Sequence, residues 1–272
     1  NRGVQCGEGT VPQGARRGRS CGPDGSSQLL RVERCQAFAF GKSGIGPRGD
    51  RCLWVDESVD KISKFLEEAG LAENTIVVFM SDNGGKSPET DMLPLRGSKG
   101  MFYEGGIRVP LIVRWPGVVA PGSRCSEPVI TLDFYPTLVE IAGGELPANQ
   151  PIDGASLVPL FQDGGTALGR DAIYWHFPAY LYGYRGMQEE GPRPGWRATP
   201  NSVVRSGEWK LIRDYETGHD TLYQLRRDVG ETMDVGGREP EKLAELATLL
   251  DAWLAELDAP IPTEPNPAYT GD

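Results

Sequence analysis

The sequence predicts an α/β protein that ends in a smaller α+β portion. Three observations predict it: a helical apolar pattern that runs straight into a β-branched strand, a second apolar strand ended by Pro-Gly, and a C-terminal stretch of short strands closed by one amphipathic helix. With 272 residues, the chain can bury a sizeable core and hold more than one unit.

Residues 1–52 stand apart. They are rich in Gly and Arg, carry about +5 of charge against about −15 for the remainder, and hold Cys6, Cys21, Cys35 and Cys52, leaving only Cys125 elsewhere. Apart from the short stretch Gln36–Phe40 they show no periodicity, so the segment is expected to be irregular or disordered and of different origin from the rest of the chain. The cysteines form no Cys-x-x-Cys pair, which argues against a zinc site and leaves the redox compartment open.

From Asp56 the pattern is regular. Val55, Val59, Ile62, Leu66 and Ala69 recur at helical spacing, with Gly70 as a stop, and Thr75–Phe79 then reads as a fully buried strand. A helix followed by a buried strand is half of a βαβ repeat and favours a parallel sheet. Val109–Trp115 reads as the second strand, and Leu132–Ala142 as a helix with Asp133 placed to cap it and Pro136 in its first turn. The Pro/Gly/Asp-rich stretch Pro147–Gly169 marks a boundary, giving expected divisions at 1–52, 53–169 and 170–272.

Beyond that boundary, Asn201–Arg205, Trp209–Arg213 and Thr221–Leu225 read as an antiparallel meander. Pro240 opens a helix whose stripe is Leu243, Leu246, Leu250, Trp253 or Leu254, and Leu257. No run of apolar residues reaches the roughly 18–20 needed to span a bilayer. The start of the chain carries no secretory-signal pattern, so an export signal, if there is one, lies outside it. A net charge of −10 disfavours nucleic acid or an anionic membrane as partner, but allows a small anionic substrate in a locally positive site.

The residues that carry chemistry lie at the carboxyl end of the first strand, where open α/β sheets bind ligands. Asp82 and Asn83 offer a carboxylate and an amide oxygen, hard donors suited to calcium or magnesium, although Asp82-Asn83-Gly84-Gly85 is also good turn chemistry. Lys99, framed by Gly97, Ser98 and Gly100, would set an ammonium beside an anion held by the same cation, with Arg96 and Arg108 adding charge. His176, in the aromatic run Tyr174–Pro178, is placed either to line a substrate pocket or to pack structurally. Trp175, Tyr180, Tyr182 and Tyr184 are open to the same two readings.

The combination of Ser81-Asp82-Asn83-Gly84-Gly85 after an apolar strand, Leu95-Arg96-Gly97-Ser98-Lys99-Gly100 and Glu104-Gly105-Gly106-Ile107-Arg108-Val109-Pro110 resembles the type I sulfatases, the arylsulfatase family of the alkaline phosphatase superfamily. Asp133–Leu138, Asp153–Leu157 and Arg205–Ile212 resemble it in the same order, over about residues 56–272. The resemblance implies the C-terminal portion of an alkaline-phosphatase-like parallel-sheet sandwich and an enzyme that hydrolyses sulfate esters of small molecules or glycans. It assigns Asp82 and Asn83 to a divalent cation, usually calcium, and Lys99 to the sulfate group; such enzymes are often exported, periplasmic or lysosomal.

The family nucleophile is a formylglycine made from Cys or Ser in Cys/Ser-x-Pro-x-Arg, and the 272 residues contain no copy; Cys21-Gly22-Pro23-Asp24-Gly25 has Gly25 where Arg is required. The family's N-terminal aspartate pair and histidines are also lacking, since His176 and His219 are the only histidines. The chain alone is therefore expected to be a poor enzyme with exposed apolar surface. The alternatives are a non-catalytic protein that binds an anion or a partner, or a phosphoesterase of the same superfamily.

Overall fold

A computed structural model describes residues 3–6, 47–163, 167–183 and 195–264, with backbone alone for 3–6, 47–53 and 163. Cys21–Gly25, Gln36–Phe40 and Tyr184 lie outside the described residues. In chain order the elements are β1 (Gly3–Cys6), α1 (Pro47–Glu68), β2 (Val77–Met80), α2 (Glu104–Ile107), β3 (Leu111–Arg114), β4 (Ser123–Cys125), α3 (Phe134–Ile141) and α4 (Val158–Asp163). Then come β5 (Ile173–Phe177), β6 (Leu181–Tyr182), β7 (Trp196–Ala198), β8 (Asn201–Ser206), β9 (Trp209–Asp214), β10 (His219–Gln224) and α5 (Pro240–Glu256). They form two compact units, one of residues 1–81 and 110–170, the other of 82–109 and 171–272. The segment 82–109, expected with residues 53–169, thus belongs to the C-terminal unit.

The first unit carries a four-stranded sheet in the order β2-β3-β1-β4. Its pairing is mixed: β1 runs parallel to β4, while β3 is antiparallel to both β1 and β2. Within the segment read as irregular, Gly3–Cys6 is therefore a strand, and α1 begins at Pro47 rather than at Asp56. Strand β2 is not buried on both faces as its composition suggested, because it lies at the sheet edge and Val78 is 42% exposed. The apolar positions of α1 have helical spacing, but Val55 and Ile62 are exposed while Val59 and Leu66 are only half-buried, so the face is incompletely covered among the described residues.

The core of this unit gathers Leu111, Val113, Val119, Leu157, Leu160 and Phe161. Asp133 does not cap α3 through its side chain. Its buried carboxylate instead accepts the Ile130 N–H at 2.8 Å, the Ala155 N–H at 2.9 Å and Arg170 Nη2 at 2.7 Å. Thr137 Oγ1 accepts the Leu157 N–H at 2.8 Å. These bonds explain why Asp133–Leu138 and Asp153–Leu157 occur together: the second segment satisfies its backbone donors on side chains of the first.

The second unit is built on the antiparallel sheet β10-β9-β8-β5. Side chains alternate between faces, and the register sets Val204, Leu211 and Leu222 side by side. All three are fully buried under Leu246, Leu250 and Leu254 of α5, a stripe of every fourth residue. The expected continuation to Leu257 fails, because α5 has ended at Glu256 and Leu257 is exposed. The same register places Arg205, Lys210 and Tyr223 in a row on the opposite face.

Candidate functional site

Three stretches separated in sequence meet through their backbones in the second unit. The Lys99 N–H donates to Gly85 O at 2.8 Å, the Gly84 N–H to Gly106 O at 3.0 Å, and the Gly105 N–H to Arg96 O at 2.7 Å. The Asp82–Gly85 turn, the Gly97–Gly100 loop and the one-turn helix α2 are thereby a single junction. Glycine is needed for space here: a Cβ on Gly84 would strike Gly105 O, one on Gly105 would strike Gly97 O, and one on Gly106 would strike Met101 O. Gly97 adds a backbone requirement, with φ of 79°. The structure therefore brings Asp82, Asn83 and Lys99 into one junction, with Asp82 and Lys99 exposed and Asn83 half-buried.

Behind the junction lies a buried charge network. Glu104, Lys210 and Glu231 are all fully buried. Lys210 Nζ stands 3.2 Å from Glu104 Oε1 and 2.7 Å from Glu231 Oε1. Glu104 Oε2 faces Arg205 at 3.6 Å and Arg108 at 3.7 Å. The sheet row Arg205-Lys210-Tyr223 is thus the floor on which α2 rests, and it ties Glu104-Gly105-Gly106 to Arg205–Ile212 across more than a hundred residues. Burial pushes the Glu104 carboxyl up, but Lys210, Arg205 and Arg108 outweigh it and hold Glu104 below the usual carboxylate range. Burial wins at Glu231, whose pKa is raised despite Lys210.

Arg96 closes the other side, with its guanidinium 3.9 Å from the Tyr103 ring centre and donating to Glu231 O at 3.0 Å. Burial, then neighbouring Tyr223, push the Tyr103 hydroxyl up to about 12, against the pull of Arg96. A pKa raised on folding means that the folded state holds the proton longer. The associated stability is complete below the unfolded value of about 10 and is lost as pH rises toward the folded value. Tyr103→Phe should accordingly flatten the fall of unfolding free energy between pH 10 and 12; parallel curves for the two proteins would contradict this placement.

His176 is not part of the junction. It lies in strand β5, paired with Ser202. Its Nδ1 bonds Ser202 Oγ at 2.7 Å, its Nε2 lies 3.1 Å from Pro260 O, and Ser202 Oγ continues to Tyr215 Oη at 2.7 Å. Because Pro260 O only accepts, Nε2 carries a proton and the ring fastens the segment just beyond α5. Strand alternation turns the next residue the other way, and Phe177 meets Phe102 with ring centres 5.8 Å apart. His176 thus faces α5, whereas Glu104, Lys210 and Lys99's loop occupy the opposite face.

Arg205 and Lys210 fall within a motif legible in the sequence, but their contacts with Glu104 do not. Glu231 escapes sequence reading altogether; the only local hint is Gly230, in the turn that the Glu231 N–H closes on Asp228 O. For a cation, Asp82 and Asn83 supply oxygen donors of the right hardness, two of the six to eight that calcium takes. Among the described residues no three His, Cys, Asp or Glu side chains gather as a complete site. Two donors are at most part of such a shell.

Family models place the chain. One described as N-sulphoglucosamine sulphohydrolase, C-terminal, matches residues 98–259, and one described as Sulfatase matches residues 18–144. A Sulfatase of Formosa agariphila is 36% identical over 76% of this chain and 39% of its own length. Human Arylsulfatase A is 32% identical over 87% of this chain and 48% of its own. The crystal structure of Ps i-CgsB in complex with k-i-k-neocarrahexaose superposes with a TM-score of 0.63 at 28% identity, covering 84% of this chain and 48% of that one. The chain thus spans less than half the length of each of these three relatives. The expected fold class holds as an alkaline-phosphatase-like α/β portion followed by an antiparallel sheet and a C-terminal helix, but the sheet of the first unit, expected to be parallel, is mixed among the described residues. With the larger match covering more than half of its residues, the chain belongs to the sulfatase family.

Proposed function

We propose that this chain supplies the C-terminal part of a sulfate-ester hydrolase, in which Lys99 contacts the sulfuryl group and Asp82 and Asn83 contribute two ligands to a divalent cation, calcium by family resemblance. The observation that carries this reading is the backbone bond from Lys99 to Gly85, which fixes the lysine's main chain to the turn that bears both ligands. Cleaving a sulfate ester shifts negative charge onto the leaving oxygen. An ammonium against the sulfuryl group offsets part of the charge that builds up there in the transition state. A bound cation would neutralise sulfuryl oxygens.

The nucleophile is assigned to residues outside the 272, because no Cys/Ser-x-Pro-x-Arg occurs within them. The alcohol carrying the sulfate is a small molecule or a glycan, in keeping with the k-i-k-neocarrahexaose named with Ps i-CgsB. The missing motif equally favours a second reading, a sulfatase-like protein that binds an anion without turning it over.

Turnover of 4-nitrophenyl sulfate separates the two. The 272-residue chain should leave it intact. A protein in which an upstream segment supplies the motif should hydrolyse it, and Lys99→Ala should then lower kcat by about 10²–10³, the loss typical of a removed transition-state donor. An unchanged kcat in that variant would remove Lys99 from the site, and no turnover with the motif present would favour the binding protein.

A further inference from the structure

Both ends of the loop that carries Lys99 are held by one residue. At the entry, Arg96 donates to the backbone oxygen of Glu231 at 3.0 Å; at the exit, the Glu104 N–H donates to Glu231 Oε2 at 2.6 Å. Glu231 adopts φ of 50°, a left-handed conformation that non-glycine residues keep only where their surroundings hold them. Besides those two bonds, its own N–H donates to Asp228 O at 3.1 Å, and its carboxylate stands 2.7 Å from the fully buried Lys210. The Gly105 N–H to Arg96 O bond then closes the loop on itself.

Stability alone does not call for this arrangement. A buried ion cluster costs desolvation, and apolar residues of similar volume are often at least as stabilising. What charged, directional contacts add is a fixed geometry. We propose that Glu231 and Lys210 are positioning residues for Lys99: together they clamp the ends of the Arg96–Glu104 loop to the antiparallel sheet, so that the lysine ammonium meets a tetrahedral oxyanion in one orientation. This role rests on Lys99 being the sulfate contact, and it adds two residues that do not touch the anion.

The test is a double-mutant cycle on the 272-residue chain, with inorganic sulfate as the probe at constant ionic strength and amide hydrogen exchange measured in parallel. Glu231→Gln keeps an acceptor for the Glu104 N–H but loses the charge that Lys210 holds. It should speed exchange at the Lys99 and Gly105 amides by about tenfold and weaken sulfate binding by a similar factor. In a Lys99→Ala background the same change should have no further effect on sulfate, because its influence passes through the lysine.

Should Glu231→Gln fail to fold, the paired variant Lys210→Met/Glu231→Gln, which removes opposite charges together, serves in the same cycle. An equal loss of affinity with and without Lys99, or unaltered exchange at the two amides, would overturn the positioning role while leaving Lys99 as the contact. Unchanged sulfate affinity in Lys99→Ala alone would overturn the contact itself, and the positioning role with it.

Discussion

Replacing Lys210 with methionine is expected to cost about 3–5 kcal/mol of folding free energy, the range for removing one partner from a buried ion pair. The ammonium is fully buried and serves two carboxylates at once. Without it, Glu104 still faces Arg205 and Arg108 at 3.6 and 3.7 Å, but Glu231 loses its cation in a fully buried position. Since domains are stable by only about 5–15 kcal/mol, the loss is a large share of the total. Urea unfolding should show it as a lower midpoint at unchanged slope. Adding Glu231→Gln should restore part of it by removing the orphaned charge. A change below about 1 kcal/mol would place Lys210 in a wetter setting than its contacts describe.

The second large effect is expected at Gly106. Its φ is not in the left-handed range, so the constraint is space rather than conformation. A methyl group there would collide with Met101 O and stand 2.6 Å from Ser98 O. Both are backbone atoms of the Lys99 loop and cannot rotate aside as a flexible side chain could. Gly106→Ala should therefore destabilise by about 1–3 kcal/mol, the usual cost of overpacking, and should drive the Ser98–Met101 turn outward. Gly237 has open space around it and no positive φ, so Gly237→Ala should stay within about 0.5 kcal/mol. Equal stabilities for the two variants would mean that the junction is looser than its backbone bonds require.

Local pattern made much of this architecture legible. Strand β2 ending before Asp82, the meander turning at Ser206-Gly207, and the stripe Leu246, Leu250 and Leu254 follow from side-chain periods of two and 3.6 residues, which act over a few neighbours. Family motifs pointed to Lys99, and the structure supplies their physical logic, since the motif glycines Gly84, Gly105 and Gly106 are points where three backbones touch. What stayed hidden depends on pairing between distant segments. His176 could be read either as lining a pocket or as packing structurally, because nothing local reveals that Ile173–Phe177 pairs with Asn201–Arg205, and only that register decides which face the imidazole takes.

Buried charge was hidden for a related reason. Lys210 sits in a strand beside Trp209 and reads like any surface lysine until Glu104, 106 positions away, is seen across from it. The transfer of residues 82–109 to the C-terminal unit has the same origin. The turn and loop that bear Asp82, Asn83 and Lys99 come directly after β2 in sequence, but Arg96 and Glu104, which flank that loop, bond to Tyr223 and Glu231. A boundary drawn from composition at 169 marks where the chain changes character, and says nothing about which earlier segment packs with the later one.

Backbone-amide NMR of the 272-residue chain, titrated with inorganic sulfate in the presence of calcium, tests most directly whether Asp82, Asn83 and Lys99 form one anion site. The expected result is that shifts concentrate on residues 82–85 and 97–100 together, and that Lys99→Ala abolishes them in both stretches. Shifts confined to one stretch, or centred on other residues and indifferent to Lys99, would contradict the assignment of this junction as the sulfate site.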